Sequence, residues 1–561
     1  MKKQLFNYFY ASALTLLLLG CGGGASGNNT KNDINETTHN NNSSSDDEFS
    51  RTSYKGLVFY YKNLPSSSYK LEQIDDSKFN ALNNSQKLQV ANKLLNTLFF
   101  GYPLKKLKTK IDSGTFISDI QNGLSVDSTD KEWLENYILD DEIFKQDKST
   151  WNLPQINKIL ARFYSAKKLD KYFYENWVSY ILTQTILFSP AYELTNTHTP
   201  NISSVYNHLV NMLEVDSGMR FITYVHMMSE DNWRRFRSPE DNGREMLEIY
   251  LQDGKDSHVP LAGQALKNWS LSSDGDTLEV GLNKNTKPIK LFGTTIYTGE
   301  DFYRELVKSS TFTHGVTNRL VDFFFPNKTA KERANIATKI VSSKPEMWQN
   351  ILTQIIFSKE YLLNNYRAQS AEETFFSLAK KMNYRVSRDS IRRLRTSLEN
   401  MHQASMKYKL GKLDRVPLDT LSFAYYNKYI RMSILLRHAK ATETNHDSWN
   451  YAGWQDSFVD FDKFSHDSRD DVVSLRGLVT YIFKTILGRD AKNDEQQFFK
   501  NHIIEQKDGK ELFKSEFNMF VTRDDPDDQK KKREDNKYHI VITVLDYISR
   551  LSETYSQMEV K

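Results

Sequence analysis

The sequence predicts a mainly α protein: a large multi-helical body with a small β-hairpin, carried behind a disordered N-terminal tether. Three observations lead there. Helix breakers are scarce, with 12 Pro and 23 Gly in 561 residues, so long uninterrupted helices are expected. Aromatic side chains are abundant, 30 Tyr and 33 Phe, and supply bulk for the cores between such helices. Finally, apolar residues recur at three- and four-residue spacing in Lys87–Leu98, Tyr174–Phe188, Phe302–Val307, Thr317–Phe325, Trp348–Ile356 and Ala371–Met382.

The chain opens on a secretory pattern. Lys2 and Lys3 precede an uncharged apolar stretch, Leu5 to Leu19, and the small residue Gly20 precedes Cys21. The stretch is shorter than the ~20 apolar residues that a spanning helix needs, so residues 1–20 are read as a cleaved signal. Leu18-Leu19-Gly20-Cys21 resembles the lipobox of bacterial lipoproteins. That resemblance implies cleavage before Cys21, lipid on its thiol and attachment to a membrane in the cell envelope. Gly22 is not the aspartate associated with inner-membrane retention, which points to the outer membrane. Cys21 is the one cysteine, so the body has no disulfide and no thiolate metal site.

Residues 21–50 are mostly Gly, Asn, Ser, Thr and Asp, with almost nothing apolar. Such a segment buries too little surface to offset its ordering entropy, and as a flexible coil spans ~30 Å. The remainder divides into a helical body, 51–435, and a C-terminal helical part of the same body, 436–561. Within it the strand signal is local: Leu278–Leu282 and Ile289–Phe292 flank a polar stretch at Asn283–Lys287 and are expected to pair as a hairpin. Gly56–Tyr61 reads as a further short strand.

Two segments repeat one another loosely. Ile181–Tyr192 parallels Ile351–Tyr361, with Phe163–Lys167 and Phe324–Lys328 upstream of them, and Leu478–Asp490 begins a third copy. A repeated helical unit stacked around one core is one reading, and chance likeness among aromatic-rich helices is the other.

Charge narrows the function classes. Lys+Arg is 75 and Asp+Glu 71, a formal charge of +4, too balanced to imply nucleic acid. The charged run from Asp524 to Arg533 has no aromatic interleaving and reads as a solvated loop. The sequence contains no G-x-S-x-G, H-E-x-x-H, P-loop or G-x-G-x-x-G pattern, each of which carries a known chemistry. No cofactor and no metal centre are expected.

The segment from Asn232 to Glu248 carries the candidate site. Ser238, Pro239 and Asp241 form a helix start: cap, proline at the first helical position, and an acid three residues after the cap. Asp241, Glu245 and Glu248 then fall on one face, with Arg244 within reach of Asp241 and Glu248. With Glu240 they are candidates for a hard-cation site or for a general acid and base, as in hydrolysis of an envelope polysaccharide. They are equally suited to an ionic network with Arg234, Arg235, Arg237 and Arg244. Trp233, Arg234, Arg235 and Phe236 suit a recognition surface, or a core with salt bridges.

Ser238–Glu248 is similar to the N-E-N-[YF]-[AG]-R-E-x-x-E signature of the secreted bacterial proteins grouped as domain of unknown function 1800. Other landmarks follow in the family's order. Asn96–Pro103 resembles its N-R-A-T-F-G-x-[TS], Val259–Trp269 its A-R-x-L-T-G-W, Lys290–Gly293 its K-x-[FL]-G turn, and Met401–Gln403 its M-G-Q. The resemblance spans Leu88 to Ile434 and places the family's characteristic positions at Glu240, Asp241, Arg244, Glu245, Glu248 and Trp269. Two departures stand out. Asp241 replaces an asparagine, and the family's W-H-N-H-F stretch has no counterpart near Trp177–Phe188. The family has no settled activity. Its exported members often accompany a sulfatase-like protein, which implies such a partner or an envelope polymer. The expected function is therefore a membrane-anchored binding or scaffold protein, with polysaccharide hydrolysis as the alternative.

Overall fold

The computed structural model describes residues 49–54, 57–62, 71–127, 166, 168–185, 202–384 (less 235, 237, 254 and 274–276), 458–459, 471–501 and 540–560. The signal segment, Cys21, the tether up to residue 48, Phe163, the landmark Met401–Gln403 and the Asp524–Arg533 run lie outside the described residues, while the last two tether residues, Phe49 and Ser50, begin a strand.

The protein is mainly α, with only small two-stranded sheets among the described residues. Helices α1 (Asp76–Asn80), α2 (Asn84–Phe99), α3 (Leu104–Asp112) and α4 (Phe116–Gly123) open the body, followed by α5 (Lys171–Gln184) and α6 (Ile202–Glu214). Next come α7 (Met219–Met227), α8 (Glu230–Trp233), α9 (Pro239–Met246) and α10 (Val259–Ala265). After the small sheets the chain forms α11 (Gly299–Lys308), α12 (Phe312–Phe324), α13 (Ala330–Val341), α14 (Trp348–Ile356), α15 (Lys359–Leu362) and α16 (Ala371–Lys381). Helices α17 (Asp471–Leu487) and α18 (Asn493–Phe499), with a helical stretch at 540–548, complete the described part.

Local chemistry sets the helix starts. Asn83, Thr298, Thr329 and Ser370 each close a reciprocal capping box at α2, α11, α13 and α16, satisfying backbone N–H groups that have no partner inside the helix. Trp348–Ile356 is helical over the span its periodicity predicts.

Helix α5 packs on α14, so the helices that carry the first two repeat segments meet. The Tyr174 hydroxyl lies 2.7 Å from Thr353 Oγ1 and donates to the Gln349 carbonyl at 3.2 Å. One hydrophobic core runs through these helices, with Trp177, Trp348 and Tyr361 fully buried.

The sheets correct the expected hairpin. Leu278–Val280 (β4) pairs antiparallel with Trp269–Leu271 (β3), and Ile289–Leu291 (β5) pairs with Thr294–Ile296 (β6). The turn is Phe292-Gly293, with φ +57° and +73°. Two successive positive φ values are what a two-residue hairpin turn of matching twist needs, so the strand folds back there. The polar stretch expected to turn is held differently: Asn285 Nδ2 donates to the Lys287 and Tyr297 carbonyls at 2.6 and 2.9 Å. The strand expected at Gly56–Tyr61 is present as Leu57–Lys62 (β2), paired with Phe49–Tyr54 (β1). Arg367–Ala368 (β7) pairs with Ser556–Gln557 (β8), joining the chain's last described segment to the body.

Candidate functional site

Helix α9 starts as its sequence dictates: the Ser238 hydroxyl accepts from the Asp241 N–H at 3.1 Å, with Pro239 in the first turn. It continues into a π-helical turn, Leu247–Leu251, and ends at Gln252 with φ +54°. Such wide turns occur mostly as single features and often beside functional sites. The other face of α9 is closed by α10. A Cβ on Gly243 would stand 2.6 Å from the Ala262 Cβ, so only glycine permits this approach.

That packing separates the four acids. Glu240 is exposed, Asp241 and Glu248 are half-buried, and Glu245 is 6 % exposed. Arg244 is exposed and forms no ion pair with Asp241 or Glu248 among the described residues, although its spacing predicts one. An exposed guanidinium gains little from such a pair. Arg234 pairs with Asp231 at 2.9 Å, and Arg319 Nη2 donates to the Glu248 carbonyl at 2.9 Å. Arg235 and Arg237 lie outside the described residues. Among the described residues no group of three or more His, Cys, Asp or Glu is placed to hold a metal ion.

Of the two settings open to Trp233, surface or core, it takes the core, and the landmark Trp269, also a candidate binding residue, is buried beside it. Trp233 and Trp269 are 2 % and 3 % exposed and stack with ring centroids 5.9 Å apart. Tyr303 meets Trp269 edge-on at 5.5 Å and donates its hydroxyl hydrogen to Asn242 Oδ1 at 2.8 Å. Burial pushes the Tyr303 phenol well above its ordinary pKa. Trp233 therefore pins α8 to β3, because burying flat rings stabilises more than exposing them, and the Tyr303–Asn242 bond ties α9 to α11.

None of the four acids lines either of two cavities whose walls are described residues. The smaller, about 460 Å³, lies beyond the C-terminal end of α9 between Asp253, His258 and the β5–β6 turn. There His258 Nδ1 is 2.5 Å from Asp253 Oδ2, a carboxylate–imidazole pair of the kind that fixes a tautomer for proton transfer. The hydroxyls of Ser309 and Thr311 on its wall bond to each other at 2.9 Å. Sequence reading missed this pair, since a five-residue His–Asp spacing across a loop has no periodic signature.

The larger cavity, about 640 Å³, lies between α2, α16, the end of α17 and the segment 553–560. Lys93 and Lys381 stand in its wall, 4 % and 6 % exposed. Burial holds the Lys93 amine well below the ordinary lysine range and lowers that of Lys381 to about 7. Nothing in the sequence marks these lysines, whose partners are 105 to 465 residues away.

Compared with family models, curated proteins and solved structures, the chain matches none of them.

Proposed function

We propose that the chain is a lipid-anchored protein of the cell envelope, tethered through Cys21 at the outer membrane, whose helical body binds a partner without cleaving it. The partner is a sulfatase-like exported protein or an envelope polysaccharide. Kinship with the domain of unknown function 1800 proteins is part of this reading, and the order of the landmarks from Asn96 to Gly293 supports it.

The observation that carries the non-catalytic reading is the placement of α9. Its Glu245 is buried, its close approach to α10 needs Gly243, and neither described cavity is lined by Glu240, Asp241, Glu245 or Glu248. Glycosidase pairs act across a cleft that admits the sugar. A carboxylate row spread from solvent to core serves packing and capping.

The test is incubation of the purified chain with isolated envelope polysaccharide, reading both co-sedimentation and new reducing ends. Binding without new reducing ends is expected. Release of reducing ends by the wild type that is lost in Glu240→Gln or Asp241→Asn would overturn the proposal in favour of the hydrolase.

A further inference from the structure

The larger cavity gathers unusual chemistry for a protein interior. Lys93 Nζ donates to the carbonyls of Asn365 (2.6 Å) and Met558 (3.0 Å), and Lys381 Nζ donates to that of Ile486 (2.9 Å). Among the described residues no carboxylate lies within ion-pair distance of either amine. Arg489, on the same wall, is already committed: Glu495 holds it through both terminal nitrogens at 2.8 and 2.9 Å, and Glu553 accepts from its Nε at 2.7 Å. Lys93 Nζ also lies 5.6 Å from the centre of the Tyr361 ring, yet burying an amine without a carboxylate partner costs free energy, so two in one chamber need a reason beyond packing.

We propose that this chamber binds a small monoanionic carboxylate that also carries hydroxyl or amide groups, with Lys381 and Lys93 facing the carboxylate. Its volume falls within the range of ordinary small-molecule sites, roughly 300–1,000 Å³. Primary amides from Gln89, Asn92, Asn96 and Gln369 line the wall and offer donors and acceptors to a hydroxylated or peptide-like body. Glu553 and Glu559 also line it and oppose a dianion such as phosphate. A monoanion meets the two amines with about half that repulsion. The inference is independent of the Cys21 anchor and of the partner held by the body.

Protons give the binding a signature. The carboxylate favours the ammonium form of Lys381, so binding above pH 7 must take up a proton, and affinity must fall as pH rises. A sugar acid and a peptide C-terminus share this chemistry. The experiment is isothermal titration of the full-length chain with D-glucuronate, with N-acetyl-alanyl-alanine and with uncharged D-glucose, from pH 6 to 9. One of the two carboxylates is expected to bind at least ~10-fold more tightly than glucose, which is about 1.4 kcal/mol, and to lose affinity by ~10-fold or more across that pH range. Which of them binds assigns the source. Lys381→Met is expected to weaken binding and flatten its pH dependence. Gln89→Leu, at the half-buried rim, gives an independent loss should the lysine variant fail to fold. Absence of binding by both carboxylates at ~10 mM, or binding that neither substitution changes, would overturn the proposal.

Discussion

The indole rings of Trp233 and Trp269 lie stacked, 5.9 Å between centroids and 18° between planes, at the point where α8 meets β3. One ring comes from the arginine-rich segment before α9 and the other from the end of the landmark after α10. Their contact joins the two most distinctive stretches of the sequence. Trp233→Ala is therefore expected to cost stability, roughly 3–5 kcal/mol for a buried aromatic, read by chemical denaturation. A loss of partner binding with an unchanged unfolding midpoint would show that the ring serves recognition instead.

Gly243 against Ala262 makes a sharper test of the α9–α10 packing. Gly243→Ala raises helix propensity by about 1 kcal/mol, yet its Cβ would meet the Ala262 Cβ at 2.6 Å. Overpacking of this kind costs about 1–3 kcal/mol, so net destabilisation is expected. Ala262→Gly in the same chain should recover much of it. A Gly243→Ala protein more stable than wild type would show that the two helices separate freely.

Arg367 and Glu373 are 0 % and 7 % exposed and meet through two bonds, 2.9 and 3.0 Å long. The same carboxylate accepts the Ser370 N–H that caps α16. Arg489 and Glu495 repeat the arrangement at α18, again six residues apart, with Glu495 accepting the Lys492 N–H at 2.7 Å. Removing one partner strands a buried charge, so Glu373→Ala should cost about 3–5 kcal/mol. Asp546→Ala, which breaks the far more exposed pair with Arg550, should cost under ~1 kcal/mol. Equal effects in urea melts would contradict the assignment of burial as the cause.

Lys381 links stability to pH. Its amine is lowered by burial to about 7 from the ordinary 10.5, so between those values the unfolded chain binds the extra proton. Stability must then rise as pH increases through that window and fall as pH drops toward 7, by up to ~1.4 kcal/mol per pH unit within it. Lys93 and Lys380, also lowered by burial, act in the same direction. Unfolding midpoints measured from pH 7 to 9 should climb in the wild type and climb less in Lys381→Met. Parallel slopes in the two proteins would remove Lys381 as the source.

Much of the helical framework was legible because its signals are local. Trp348–Ile356 shows its periodicity within nine residues, and Ser238-Pro239 announces the start of α9. The hairpin was mispaired because the polar stretch Asn283–Lys287 looks like a turn, whereas Phe292-Gly293 turns through positive φ. The aromatic and arginine side chains at Trp233–Phe236 suited surface or core equally, and only tertiary packing decides between them. The Lys93–Lys381 chamber was invisible for another reason. Its walls come from residues 89–96, 366–381, 486–492 and 553–560, which no spacing rule connects.

The central claim is that the body hangs from a lipid on Cys21, and metabolic labelling with a fatty-acid analogue tests it most directly. The wild-type chain should carry label and sediment with membranes, while Cys21→Ser should be unlabelled and no longer lipid-anchored. An unlabelled wild-type chain, or label retained in Cys21→Ser, would contradict the account.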